Sequence, residues 1–222
     1  MIKALIFDFD GTIIDTETAW YVAFREAYQR YEVDLSLEMY SGCIGTSLHA
    51  FNPYEYLMAE LKLPIDRDQF RVSVQERHAA LMLQEAVRPG ILHLLDSAKA
   101  AGLRIGLASS SDRAWIDRHL EQLNLKEYFE VIRTKDDVRE VKPNPELYLQ
   151  VLEAMGIAND EAVAIEDSPN GARAAVAAGL RCVVVPNEIT QSLEFPELPG
   201  AIWAKSLEEV VFESLLTGSP VR

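Results

Sequence analysis

The feature that most limits how this chain can fold is its opening stretch, where an apolar run ending Leu5-Ile6-Phe7 meets Asp8-Phe9-Asp10-Gly11-Thr12. A short apolar run without alternation is the pattern of a strand buried on both faces, as in a parallel sheet. Gly11 marks where the chain breaks out of it. Residues two apart on a strand point the same way, so Asp8 and Asp10 share a side at its carboxyl end. Open α/β sheets bind their ligands at that end. Two adjacent carboxylates in a low-dielectric setting repel each other, and a divalent cation is the simplest counter-charge. Taken alone, the same five residues also suit an acidic solvated turn.

Hydrophobic residues make up 49% of the 222, enough for one sizeable α/β domain and a smaller one. No apolar run approaches the length that spans a bilayer. Lys3 and the aspartates interrupt the N-terminal apolar run, so no signal peptide is expected and a cytoplasmic location is. Cys43 and Cys182 lie far apart among apolar neighbours and are expected to be buried free thiols. The net charge of -14 disfavours nucleic acid and anionic membranes as partners. A phosphorylated substrate would meet the same repulsion unless a metal ion, a lysine and backbone amides reverse the sign locally. A monomer is expected.

After Asp15 the pattern turns helical. Thr16 is expected to cap a helix carrying Trp20, Phe24, Ala27, Tyr28 and Tyr31 on one face. Further helices are expected from near Leu37, over Pro53 to Lys62, and over Asp66 to Glu85, with a glycine-containing loop, Ser41 to Ser47, between the first two. Some seventy residues without a strand-like run, in a chain that otherwise alternates, indicate a separate unit. Residues 16–87 are therefore expected to form an inserted all-helical cap domain, with 1–15 and 88–222 forming the core. From Pro89 onward strands alternate with helices, which indicates an α/β core with a doubly wound, Rossmann-like parallel sheet. The tail holds an expected edge strand, Ala201 to Trp203, and a last helix opened by a capping box at Ser206 and Glu209.

Three further pieces follow predicted strands. Ser109, with Ser110 and Ser111, ends one strand, where a hydroxyl and the following amides can bind phosphate oxygens or simply cap a helix. Lys142 is followed by Pro143 and Pro145, which fix the local backbone and place a positive charge. Glu166 and Asp167 end a buried strand in a turn shaped by Pro169 and Gly171, a setting suited to oxygen ligation of Mg2+. Asp167 is the expected direct ligand, and Glu166 would ligate directly or through water.

Asp8-Phe9-Asp10-Gly11-Thr12, Ser109, the Lys142 segment and Glu166-Asp167 resemble, in order, the four motifs of the haloacid dehalogenase superfamily. The resemblance covers essentially the whole chain and extends to the helical cap of its β-phosphoglucomutase-like and phosphatase branch. Spacings of about a hundred, thirty and twenty-five residues are compatible with one sheet edge presenting all four. The resemblance implies Asp8 as nucleophile, Asp10 as general acid and base, Ser109 and the Ser110 amide as phosphate ligands, and Lys142 as counter-charge. It also implies Mg2+ on Asp8, the Asp10 carbonyl and Asp167, and a small phosphorylated metabolite as substrate. Dehalogenation is disfavoured, because it does not use the second aspartate.

Within that branch the phosphatase is favoured over a β-phosphoglucomutase-type isomerase. The mutases carry a histidine after the first loop and a lysine in the last cap helix, where this chain has Trp20 and a lone cap lysine, Lys62, well before that helix. A non-catalytic phosphate-binding protein and a receiver-like domain are the readings from other classes. Gly45, Thr46 and Ser47, together with Arg77 and His78, are the cap residues expected to meet substrate.

Overall fold

The computed structural model describes residues 1–44 and 51–217. In chain order the elements are β1 (Ala4–Phe7), α1 (Thr16–Gln29), α2 (Leu37–Ser41), α3 (Tyr56–Ala59), α4 (Arg67–Met82), α5 (Ile91–Ala100), β2 (Arg104–Ala108) and α6 (Arg113–Gln122). There follow β3 (Val131–Arg133), α7 (Glu146–Met155), β4 (Ala162–Glu166), α8 (Pro169–Ala177), β5 (Arg181–Val184), β6 (Ile202–Trp203) and α9 (Phe212–Thr217). Among the described residues no helix is long and apolar enough to cross a membrane.

The chain divides into two compact units. The first, Met1–Ile14, Ala86–Asn187 and Glu194–Arg222, contains the sheet. All its strand pairings are parallel and the order is β3-β2-β1-β4-β5-β6. Every residue of β1 is inaccessible to solvent, as an apolar central strand covered on both faces must be. One side of the sheet packs on Leu147, Val151 and Met155 of α7 and on the small residues Ala172, Ala174 and Ala175 of α8. Strand order reverses at β1, with β2 on one side and β4 on the other. That reversal opens a crevice beyond the carboxyl ends of β1 and its neighbours.

The second unit comprises Asp15–Glu85 and the returning segment Glu188–Leu193. Its described elements α1 to α4 are helical, and their core holds Phe24, Tyr28, Leu35, Tyr40, Leu57, Phe70 and Val74. Ile189 joins the same core, so the unit also takes a short segment from beyond β5. No local pattern in the sequence announces that return.

Several local expectations need correction. Asp15, not Thr16, caps α1, its carboxylate accepting from the Thr18 amide at 3.0 Å. The helix expected over Pro53 to Lys62 shrinks to α3, with Asn52 organising the turn before it through a 3.1 Å bond from the Tyr54 amide. Ser206 accepts from the Glu208 amide at 3.2 Å and opens only a 3-10 turn, while Glu209 accepts from the Lys205 amide; the last helix is α9. A side-chain capping box does form at Thr134 and Asp137. Cys182 is buried, but Cys43 is half-buried.

Candidate active site

The site is assembled at the carboxyl ends of β1, β2 and β4. Asp8 directly follows β1, and its amide extends the sheet by donating to the Ile165 carbonyl at 3.0 Å. Its side chain is almost wholly buried, and Oδ1 accepts from Lys142 Nζ at 2.5 Å. The same ammonium donates to Glu166 Oε1 at 2.6 Å and lies 5.0 Å from the centre of the Tyr148 ring. Tyr148, on the first turn of α7, donates its hydroxyl to Glu166 Oε1 at 2.7 Å. One cation thus balances two carboxylates away from water.

Asp167 is held at both oxygens: Oδ1 accepts from the Thr12 hydroxyl at 3.2 Å, and Oδ2 from Asn187 Nδ2 at 3.0 Å. Gly11, at a left-handed φ of 86°, passes so close that a Cβ there would overlap the Asp167 carboxylate. Gly171 similarly leaves room for the Glu166 carboxylate. Arg88 fastens the two loops that carry these groups, donating to the carbonyls of Gly11, Val185 (3.1 Å) and Pro186 (3.2 Å).

Asp10 turns toward the end of β2. Its Oδ1 accepts from Trp115 Nε1 at 2.8 Å, and its Oδ2 from Ser111 Oγ at 2.6 Å and Ser109 Oγ at 3.3 Å. Ser109 is fully buried and also accepts from the Ser111 amide at 3.0 Å, so its hydroxyl is fixed in place. Ser110 is exposed.

Burial is the largest influence on Asp8 and favours the neutral acid. Lys142 opposes it, Glu166 reinforces it, and the carboxyl is pushed up to about 7. Burial also disfavours the Lys142 ammonium, but the two carboxylates outweigh it and raise the pKa above its ordinary value. A folded pKa above the unfolded 3.8 means that Asp8 favours the folded, metal-free protein at low pH, and that this contribution is lost as the pH rises to about 7. Asparagine stays neutral throughout. Relative to wild type, the melting temperature of metal-free Asp8→Asn should therefore climb from pH ~5 to pH ~8. A constant gap in circular-dichroism melts would contradict this account of Asp8.

Asp8, Glu166 and Asp167 each offer a carboxylate oxygen, all within 4.8 Å of one another, and so can hold a metal ion. The donors are all oxygens, which suits a hard cation such as Mg2+ or Ca2+. Glu166 is the most committed of the three, since its Oε2 also accepts from the Asp167 amide at 3.3 Å and the Ser168 hydroxyl at 3.4 Å. Four carboxylates with one ammonium leave the pocket negative, so a phosphate would need that cation to enter.

The structure brings Asp8, Asp10, Ser109, Lys142, Glu166 and Asp167 together. It does not bring the side chain of Ser110 to them. Arg77, on α4, is bound in a two-point ion pair to Glu26 at 2.7 and 2.9 Å. His78 is buried and stacks on Trp20, centroids 3.6 Å apart. Gly45, Thr46 and Ser47 lie outside the described residues. Sequence reasoning gave no individual role to Thr12 or Ser111, though both fall within its motifs, and none at all to Trp115, Tyr148 or Asn187. Thr12 and Ser111 had a usable signal in the opening motif and the strand-end serine cluster, and Asn187 a weaker one in its place just beyond the carboxyl end of β5.

Fold and site define a class: doubly wound α/β proteins that gather carboxylates, a lysine and a strand-end serine where the strand order reverses. Comparison with known proteins names the family. The profile described as haloacid dehalogenase-like hydrolase matches residues 5–185, and the chain belongs to that family. YhcW of Bacillus subtilis is 47% identical over 197 residues, covering 89% of each chain. A phosphorylated carbohydrates phosphatase of Thermotoga maritima is 30% identical over 181 residues, covering 80% of this chain and 82% of its own. The crystal structure of a CbbY mutant from Rhodobacter sphaeroides in complex with xylulose-(1,5)bisphosphate is 32% identical, with a TM-score of 0.72, covering 99% of this chain and 100% of that one.

Proposed function

We propose that this chain is a Mg2+-dependent phosphatase that hydrolyses a small phosphorylated metabolite, a sugar phosphate or similar, through an aspartyl-phosphate on Asp8. The observation that carries it is the position of Asp8, buried at the tip of β1, with one oxygen on Lys142 and a carboxylate oxygen within 4.8 Å of those of Glu166 and Asp167. A Thermotoga relative named a phosphorylated carbohydrates phosphatase and a CbbY structure holding a sugar bisphosphate support the substrate class.

In the first step a carboxylate oxygen of Asp8 attacks phosphorus, the bond to the leaving oxygen breaks, and Asp10 delivers its proton to that oxygen. In the second, water attacks the same phosphorus, the bond to Asp8 breaks, and Asp10 takes the proton from the water. Ser109 and the Ser110 amide orient the phosphoryl oxygens, and Lys142 offsets their charge. Asp8, Asp167 and the Asp10 carbonyl would hold Mg2+, with Glu166 joining directly or through water. When bound, the ion supplies positive charge against the phosphoryl oxygens.

The test is phosphate release from a panel of sugar phosphates and from 4-nitrophenyl phosphate, with Mg2+ and after chelation. Hydrolysis that depends on Mg2+ is expected, without interconversion of β-glucose 1-phosphate and glucose 6-phosphate. Efficient interconversion would make the chain a mutase, and no turnover of any substrate would leave a phosphate-binding protein.

A further inference from the structure

The proposed chemistry needs the Asp10 carboxyl held in one orientation, and three side chains from the end of β2 and from α6 hold it. Asp10 Oδ1 meets the indole N–H of Trp115 at 2.8 Å, and Oδ2 meets the hydroxyls of Ser111 at 2.6 Å and Ser109 at 3.3 Å. An indole N–H can only donate, whereas a hydroxyl can donate or accept. The indole therefore fixes Oδ1 as an acceptor, while the two hydroxyls can adapt to Oδ2 in either role. Oδ2 is also the oxygen beside Ser109, the strand-end hydroxyl assigned to the phosphoryl group.

Trp115 is well placed to enforce this. Its amide donates to Asp112, the cap of α6, at 2.8 Å. Its ring lies 4.0 Å, centre to centre, from the buried His119 ring. His119 Nδ1 is 2.9 Å from the Trp115 carbonyl, which can only accept, so that nitrogen carries the hydrogen. His119 also packs against Phe9, the residue between the two aspartates, with ring centres 6.2 Å apart. The indole is thus held on the same frame as the carboxylate it binds.

We infer that Trp115 is a positioning residue, whose indole N–H takes Oδ1 of Asp10 and so holds Oδ2 beside Ser109. This role rests on the assignment of Asp10 as general acid and base under the proposed function. It makes a prediction about leaving groups. An alkoxide needs a proton to leave, whereas 4-nitrophenolate is a good leaving group without one. Trp115→Phe retains an aromatic ring against His119 and removes the N–H.

The experiment compares kcat of the Mg2+-loaded full chain on glycerol 1-phosphate and on 4-nitrophenyl phosphate. In W115F the ratio of the first to the second should fall about 10- to 100-fold, within the about 10²- to 10⁴-fold that a positioned acid contributes. In an Asp10→Asn background W115F should leave that ratio unchanged, because the two residues act as one unit. Should W115F fold poorly, Ser111→Ala loosens the same carboxylate at its other oxygen and should lower the ratio likewise. An unchanged ratio, with loss shared equally by both substrates, overturns the role of Trp115 and leaves the phosphatase standing. A wild-type chain that releases phosphate from neither of these nor from any sugar phosphate of the panel overturns both.

Discussion

Replacing Asp8 with asparagine is expected to lower phosphatase turnover by at least about 10⁴-fold, the scale of losing a covalent nucleophile. The amide keeps the size of the side chain and can still accept a hydrogen bond from Lys142, but it cannot form the acyl phosphate. The fold should survive, because the buried β1 and its pairings with β2 and β4 do not depend on the charge. Far-ultraviolet circular dichroism and steady-state assays on one preparation check both halves. A folded variant with wild-type turnover would end the aspartyl-phosphate proposal.

The second large effect concerns Lys142. Its ammonium lies between Asp8 and Glu166, at 2.5 and 2.6 Å, with all three side chains buried. Lys142→Met removes the ammonium that both carboxylates share and leaves their charges desolvated and close together. Breaking a buried ion pair from one side typically costs about 3–5 kcal/mol, and that is the destabilisation expected in urea titrations of the metal-free protein. Turnover should fall about 10²- to 10³-fold as well, since the charge proposed to offset the incoming phosphoryl oxygens is lost. The two losses are separable: Mg2+ should restore part of the stability by neutralising Asp8 while leaving the rate low. A metal-free variant within about 1 kcal/mol of wild type would show that the carboxylates are not held as two charges around one.

What could be read from the chain alone is what depends on local pattern. The apolar run into Asp8, the Ser109 cluster, Lys142 before its two prolines and the Glu166-Asp167 turn each sit where a buried strand ends or a rigid turn begins, and a parallel sheet places such ends along one edge. The helical character of the second unit was legible in the same way, from periodicity and the lack of strand-like runs. Local pattern misled where short polar residues compete for a cap, as Asp15 and Thr16 do, and where Ser206 was assigned a full helix.

Only the tertiary structure decided which side chains complete the site. Trp115 reaches Asp10 across 105 residues, and Thr12 reaches Asp167 across 155. Arg77 is tied to Glu26 across 51, and Ile189 enters a core built by residues far earlier in the chain. The physical reason is the same in each case. A strand end has a signature in its own few residues, but the partner of a carboxylate is selected by the sheet order and helix packing that bring distant segments together, and those arise only when the whole chain buries its apolar faces at once.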